Sequence, residues 1–314
     1  MRILFYGPSS GMPSGDAGAW LAGLRHAIPR AEIRMWEEGD HQPADYVVAW
    51  KPPLSMLMQR GDLKAIFNLG AGVDGIMQLG EGLPPGVPIV RLDDAGMGRQ
   101  MAEYVTHAVL RYFRRFDHFD AQQHSGQWRQ LKPFERAEFT VGILGMGVLG
   151  KRVADALMHF DFPVRGWSRN PKELPGIACF SGADGLDAFL RGSRVVVCAL
   201  PLTSETRNIL GRANLAKLPQ GAYVINVGRG EHVVAADLLD LLRDGQIAAA
   251  TLDVFDQEPL PEDHPYWQES RISLTPHIAA MTLRDDSVRQ IAGKISALEC
   301  GEPITGIVDR MTGY

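Results

Sequence analysis

The chain has 314 residues, enough for two domains at about 150 residues each. Its 45% apolar and 22% charged residues match ordinary globular chains, and its 34 Gly and 20 Pro stay below the ~25–30% that marks low-complexity disorder. A net charge of −5 excludes the strongly basic footprint of a protein that grips nucleic acid or an anionic membrane.

In the first hundred residues short apolar strands alternate with amphipathic stretches. Arg2–Tyr6 reads as a strand, and the apolar run before Gly7 is too short for the ~7–15 residue core of a secretory signal. Asp16–Ala27 reads as a helix, with Trp20, Leu21, Leu24 and Ala27 at helical spacing. Tyr46–Trp50 follows as a strand stopped by Pro52-Pro53, and Leu54–Gln59 as a short helix before Gly61. Lys64–Leu69 and Pro88–Leu92 complete a βα alternation that implies a parallel sheet.

Gln100–Gln123 is the longest helical pattern. Met101, Tyr104, Val105, Ala108, Val109, Tyr112, Phe113 and Phe116 form a stripe broad enough for either a dimer surface or an ordinary core helix. A second βα series has strands at Thr140–Leu144, Pro163–Trp167, Arg194–Leu200, Ala222–Val227, Ala248–Val254 and Ile272–Thr275. Its clearest helix is Ala235–Arg243, ended by Gly245. A helical tail over about 280–300 is expected to return to the first domain, making that domain discontinuous. No run approaches the ~18 apolar residues of a membrane span. The three cysteines, Cys179, Cys198 and Cys300, lack disulfide-framework or metal-ligand spacing, so a reducing cytoplasm is expected and no metal.

Gly145-Met146-Gly147-Val148-Leu149-Gly150 is a GxGxxG element between a strand and a helix. There the first glycine allows a tight turn, the second a close approach to a pyrophosphate, and the third close helix–strand packing. The helix N-terminus adds free N–H groups for phosphate. The next strand ends at Ser168-Arg169, where an NAD site usually carries an acid for the ribose 2′-hydroxyl. A guanidinium pairs with a 2′-phosphate that a carboxylate would repel, so NADP(H) is expected to be preferred and NAD(H) to bind more weakly. The alternative is an arginine solvated away from the cofactor.

Arg229, Glu258 and His277 each follow the C-terminal end of an expected parallel strand, where open α/β sheets bind ligands. Together they suit keto-acid reduction. Arg229 would pair with the carboxylate and polarise the ketone, His277 would protonate the alkoxide, and Glu258 would orient the imidazole and favour its charged form. Singly, each also fits a structural role. The other eight histidines, His26, His107 and His232 among them, are read as structural.

The stretches GILGMGVLG, CALPLTSETRNIL, GAYVINVGRG, LDVFDQEPLP and LTPHIA resemble the D-isomer-specific 2-hydroxyacid dehydrogenase family, in its order and spacing along essentially the whole chain. That resemblance implies two Rossmann-like, doubly wound parallel-sheet α/β domains. Residues 1–99 with 284–314 would form a flavodoxin-like substrate domain, and 100–283 the NADP-binding domain. It makes Arg229, Glu258 and His277 the catalytic residues. It sets Leu200, Pro201, Val227, Gly228, Arg229, Asp253 and His277 beside the cofactor, Asp253 toward the nicotinamide. It gives the substrate carboxylate the N–H groups of the loop Gly70–Asp74, through Ala71, Gly72 and Val73.

Within the family, WSR, VVAWKPP, HIAA and the ending GEPITGIVDRMTGY look like the glyoxylate/hydroxypyruvate reductase A branch, which implies reduction of glyoxylate to glycolate and hydroxypyruvate to D-glycerate, in a homodimer. Trp50, at a strand end near the 70–74 loop, would limit substrate size; otherwise it packs in the core. Leu283-Arg284-Asp285 matches no pattern of the branch. The alternative function is a dinucleotide-sensing regulatory protein that keeps the fold.

Overall fold

The computed structural model describes residues 1–7, 16–58 and 60–313. The expected helix end at Gln59 and the final Tyr314 lie outside them. The chain divides into two compact units, residues 1–97 with 281–314, and residues 98–280.

The first unit carries strands β1 (Arg2–Tyr6), β2 (Glu32–Met35), β3 (Tyr46–Ala49), β4 (Ala65–Asn68) and β5 (Ile89–Val90). They pair in parallel in the order β2-β1-β3-β4-β5, the flavodoxin-like arrangement. Helices α1 (Ala17–Ala27), α2 (Leu54–Leu57) and α3 (Asp74–Met77) lie between the strands. Asp16 caps α1 by accepting the Ala19 N–H at 3.0 Å, which satisfies a donor that the first turn cannot. The helix Arg284–Glu299 packs against α1, and Glu299 accepts from the Tyr46 hydroxyl at 2.7 Å and from Lys64 at 2.6 Å. Leu283 to Asp285, unplaced by sequence pattern, form the start of this helix.

The helix α4 (Met97–Phe113) leads into the second unit from its first residue and is followed there by α5 (Phe116–His124). Next come β6 (Val141–Leu144), α6 (Val148–His159), β7 (Val164–Ser168), β8 (Ala178–Ser181), α7 (Gly182–Arg191) and β9 (Val195–Cys198). Last are α8 (Arg212–Leu215), β10 (Ala222–Asn226), α9 (Ala235–Arg243), β11 (Ile247–Leu252) and β12 (Ile272–Leu274). The seven strands pair in parallel as β12-β11-β10-β9-β6-β7-β8, a Rossmann order with one added strand. The edge strands β2 and β8 escape a reading of apolar runs. Glu32-Ile33-Arg34-Met35 buries only Ile33, and no residue of β8 is fully buried.

The helix expected over Gln100–Gln123 is two helices. Arg115 takes a left-handed conformation, φ 58°, and resets the direction between α4 and α5. Phe113 turns into a ring cluster with Phe139 and Phe162, at 5.3 and 5.2 Å, and the Arg136 guanidinium lies 4.5 Å from its centroid. Phe116, on the same helical phase, is left 47% exposed. Both segments keep helical spacing, so periodicity alone does not register the break. The remaining stripe is absorbed by the unit's own core, with Val105, Ala108, Val109 and Tyr112 at 1% exposure or less.

Phe139 sits at the centre of that ring cluster, 5.1 Å from Phe134 and 6.0 Å from Tyr223. Phe139→Ala is expected to destabilise the fold by about 3–5 kcal/mol, read as a lowered urea midpoint at unchanged slope. A loss under about 1 kcal/mol would mean that the cluster does not hold the helix break in place.

Candidate active site

The glycine-rich turn joins β6 to α6, and its three glycines differ in what surrounds them. Gly145 has φ 105°, and a Cβ there would lie 2.7 Å from the Ala199 carbonyl oxygen. A Cβ on Gly150 would stand 1.9 Å from the Gly145 carbonyl oxygen, so α6 can approach the strand only without one. Gly147 is exposed, and a Cβ on it would meet nothing within 4 Å. That open space at the N-terminus of a twelve-residue helix, lined by bare backbone, fits a pyrophosphate.

Beyond β7, Ser168 donates to the Asn170 carbonyl at 2.8 Å, and Arg169 pairs with Glu205 at 2.7 Å. Lys172 donates to the Met146 carbonyl of the glycine-rich turn at 2.6 Å, which brings a second cation to this edge. Sequence spacing gave no sign of Lys172, because the contact spans twenty-six residues. Leu200 and Pro201 follow β9, and Val227 and Gly228 follow β10, on the same edge of the sheet.

Arg229, Glu258 and His277 follow three neighbouring strands, β10, β11 and β12. His277 Nδ1 lies 2.8 Å from Glu258 Oε2, while Glu258 Oε1 accepts the Phe255 N–H at 3.0 Å. Burial alone would raise the Glu258 carboxyl pKa. The hydrogen bonds from His277 and Phe255, with the charges of His277 and Arg229, outweigh it and hold the group below the usual carboxylate range. An ionised Glu258 only accepts, so Nδ1 of the imidazole carries the proton between them and Nε2 is left for exchange.

The His277 loop is fixed from beneath. Asp253, 1% exposed, accepts from the Thr275 hydroxyl at 2.7 Å and the Ile278 N–H at 2.8 Å on one oxygen, and from the Ala279 N–H at 2.8 Å on the other. Thr275 also meets the Tyr104 hydroxyl at 2.5 Å. Burial raises the Asp253 pKa despite these donors. The family resemblance implies a place for Asp253 toward the nicotinamide, but Thr275 and Tyr104 carry no sequence signal, since a hydroxyl 171 residues away leaves no local pattern.

In the first unit the Trp50 ring lies over the 70–74 loop. A Cβ on Gly70 would sit 2.5 Å from the ring, so the indole closes down on a glycine. Asn68, 2% exposed, donates to the Gly70 and Gly72 carbonyls at 2.9 and 2.8 Å and shapes the loop. Among the described residues, no protein acceptor meets the N–H groups of Ala71, Gly72 or Val73.

Residues 106–279 match the family described as D-isomer specific 2-hydroxyacid dehydrogenase, NAD binding domain. The chain belongs to the D-isomer-specific 2-hydroxyacid dehydrogenase family. A Serratia proteamaculans protein named glyoxylate/hydroxypyruvate reductase A is 50% identical over the whole of both chains, and a Yersinia enterocolitica protein of that name is 47% identical. Among solved structures, a family member from Xanthobacter autotrophicus in complex with NADPH and MES is 40% identical, with a TM-score of 0.92 over 100% of this chain and 99% of its own. The NADPH-dependent glyoxylate/hydroxypyruvate reductase of Sinorhizobium meliloti, solved with NADP and sulfate, is 35% identical with a TM-score of 0.90 at the same coverage.

The two glycines of the dehydrogenase turn should separate experimentally. Gly147→Ala has room, so it should leave the melting temperature within about 2 °C of wild type while weakening dinucleotide binding, because a methyl group intrudes where the phosphate would lie. Gly150→Ala should lower both. Equal loss of stability in the two variants, by thermal melting, would contradict the distinction.

Proposed function

We propose that the chain is an NADPH-dependent reductase of small 2-keto acids, forming glycolate from glyoxylate and D-glycerate from hydroxypyruvate. The observation that carries this reading is the 2.8 Å contact of His277 with an ionised Glu258, on strand ends adjoining that of Arg229. The names of the Serratia, Yersinia and Sinorhizobium relatives support the substrate class.

In this reading the second unit is the cofactor domain and the first the substrate domain. Gly145, Met146, Gly147, Val148, Leu149 and Gly150 would hold the pyrophosphate, with Leu200, Pro201, Val227, Gly228 and Asp253 bordering the rest of the dinucleotide. When bound, the reduced nicotinamide supplies the hydride for the keto carbon. Arg229 draws electron density toward the ketone oxygen and pairs with the carboxylate. His277, its Nδ1 proton held on Glu258, gives the Nε2 proton to the oxygen as negative charge develops there. In the first unit, Ala71, Gly72 and Val73 carry N–H groups without a protein acceptor that suit a carboxylate, and Trp50, closed over Gly70, would disfavour bulky substituents beside them.

NADP(H) is preferred over NAD(H) because Arg169 and Lys172 bring two cations to the end of β7, where Ser168 replaces the acid. A 2′-phosphate would take the Arg169 guanidinium from Glu205, a 69% exposed carboxylate. The chain acts as a cytoplasmic homodimer. The three cysteines are free, as a reducing compartment keeps them. The apolar stripe of α4 is buried within one chain and leaves little for self-association. Self-association rests on two exposed aromatics of the segment after it, Phe116 and the wholly exposed Trp128.

His277→Asn should lower kcat by ~10²–10⁴ while NADPH affinity stays within a few-fold. Glu258→Gln removes the negative charge that favours imidazolium, so the alkaline limb of the pH profile for reduction should move to lower pH. An unmoved limb would separate Glu258 from the protonation of His277. Arg169→Ala should cost NADPH about ten- to a hundredfold in affinity, the worth of one charge-assisted phosphate pair, and leave NADH nearly unchanged. Equal loss for both cofactors, by fluorescence titration, would remove Arg169 from the selectivity argument.

A further inference from the structure

His232, read from sequence as a structural histidine, closes the short turn Gly230–His232 that follows Arg229. Its ring is fully buried, and each nitrogen meets a different loop. Nδ1 accepts the Arg229 backbone N–H at 3.0 Å, and Nε2 lies 3.4 Å from the Pro201 carbonyl oxygen. An N–H can be accepted only by the unprotonated nitrogen, so the ring proton resides on Nε2 and points at Pro201. The other polar group of the Arg229 backbone is also held, because Asn226, itself fully buried, donates from Nδ2 to the Arg229 carbonyl at 2.8 Å. Gly228 leaves the ring its place, since a Cβ there would stand 2.9 Å from Nδ1.

We infer that His232 is a positioning residue of the reductase site, a neutral imidazole strut that sets Arg229 with one nitrogen and the Leu200-Pro201 loop with the other. The inference rests on the proposed roles of Arg229 toward the keto acid and of Pro201 toward the cofactor. It deepens that reading by tying the two binding functions through one side chain. Burial foremost, with the charges of Arg229 and Arg207, outweighs the hydrogen bond to Pro201 and brings the His232 pKa down to about 4. The ring therefore stays neutral and keeps its acceptor across the working pH range. Glu231, paired with Arg207 at 3.7 Å, is the acidic neighbour on the same turn.

Because the two nitrogens serve different loops, two amide substitutions divide them. His232→Asn keeps an acceptor near the Nδ1 position and loses the group facing Pro201. His232→Gln carries an amide N–H toward the Nε2 position and loses the acceptor for Arg229. Each is measured on the full chain for glyoxylate kcat and KM at saturating NADPH, for NADPH Kd by fluorescence, and for melting temperature. One hydrogen bond lost in each case corresponds to an effect of about two- to tenfold.

The expected result is a crossed pattern. His232→Gln lowers kcat/KM for glyoxylate with NADPH Kd nearly unchanged, and His232→Asn raises NADPH Kd with kcat/KM at saturation nearly unchanged. His232→Leu, lacking both groups, shows both effects. A parallel loss of both quantities in step with melting temperature would overturn the strut, as would wild-type behaviour of the Asn and Gln variants. Arg229→Gln is the control. If it leaves glyoxylate kinetics intact, the Arg229 reading and the strut fall together. If it impairs them and His232→Gln does not, the strut alone fails.

Discussion

Asp253 accepts three hydrogen bonds from the segment Thr275–Ala279 on its buried carboxylate, and its own carbonyl accepts the His277 N–H at 2.8 Å. Hydrogen bonds to a charged group are worth about 1.5–3 kcal/mol each, and an unmatched buried carboxylate would cost more than any one of them returns. The arrangement the loop adopts satisfies this acid on both oxygens. His277 is held there at φ 55°, a conformation that a non-glycine residue keeps only when its surroundings demand it. The meeting of Nδ1 with Glu258 depends on that constraint. So does the reading of His277 as an acid.

The sheet supplies the rest. In a parallel sheet every strand delivers its chain to the same edge, so β10, β11 and β12, neighbours in the sheet, bring together side chains far apart in sequence. Arg229 leaves β10 with both backbone polar groups held, by Asn226 and by His232. The glycine-rich turn leaves β6 on that same edge, two strands from β10. Anion-binding backbone and the charged trio thus share one edge of one unit without any long-range device.

Much of this was legible in the residues. Apolar runs located ten of the twelve strands among the described residues, because buried parallel strands read as near-continuous hydrophobic segments. The exceptions, β2 and β8, are edge strands whose pairing, rather than their own composition, makes them strands. The GxGxxG context located the turn, and strand ends located Arg229, Glu258 and His277. What stayed hidden depended on one residue's conformation or on contacts across the fold. Arg115 divides a helix through a single left-handed residue. His232, Thr275, Tyr104 and Lys172 gain their roles only from partners that folding brings near. The pairing of Arg169 with Glu205 was likewise invisible to spacing.

The central claim is that this site reduces small 2-keto acids. It is tested most directly by following NADPH absorbance with the wild-type protein and 2-keto acids of increasing size, with the configuration of each chiral product determined. The account predicts turnover with glyoxylate and hydroxypyruvate, D-glycerate as the product of the latter, and falling kcat/KM as the substituent grows past hydroxymethyl. Preference for phenylpyruvate, formation of L-glycerate, or no NADPH consumption with any keto acid would contradict it.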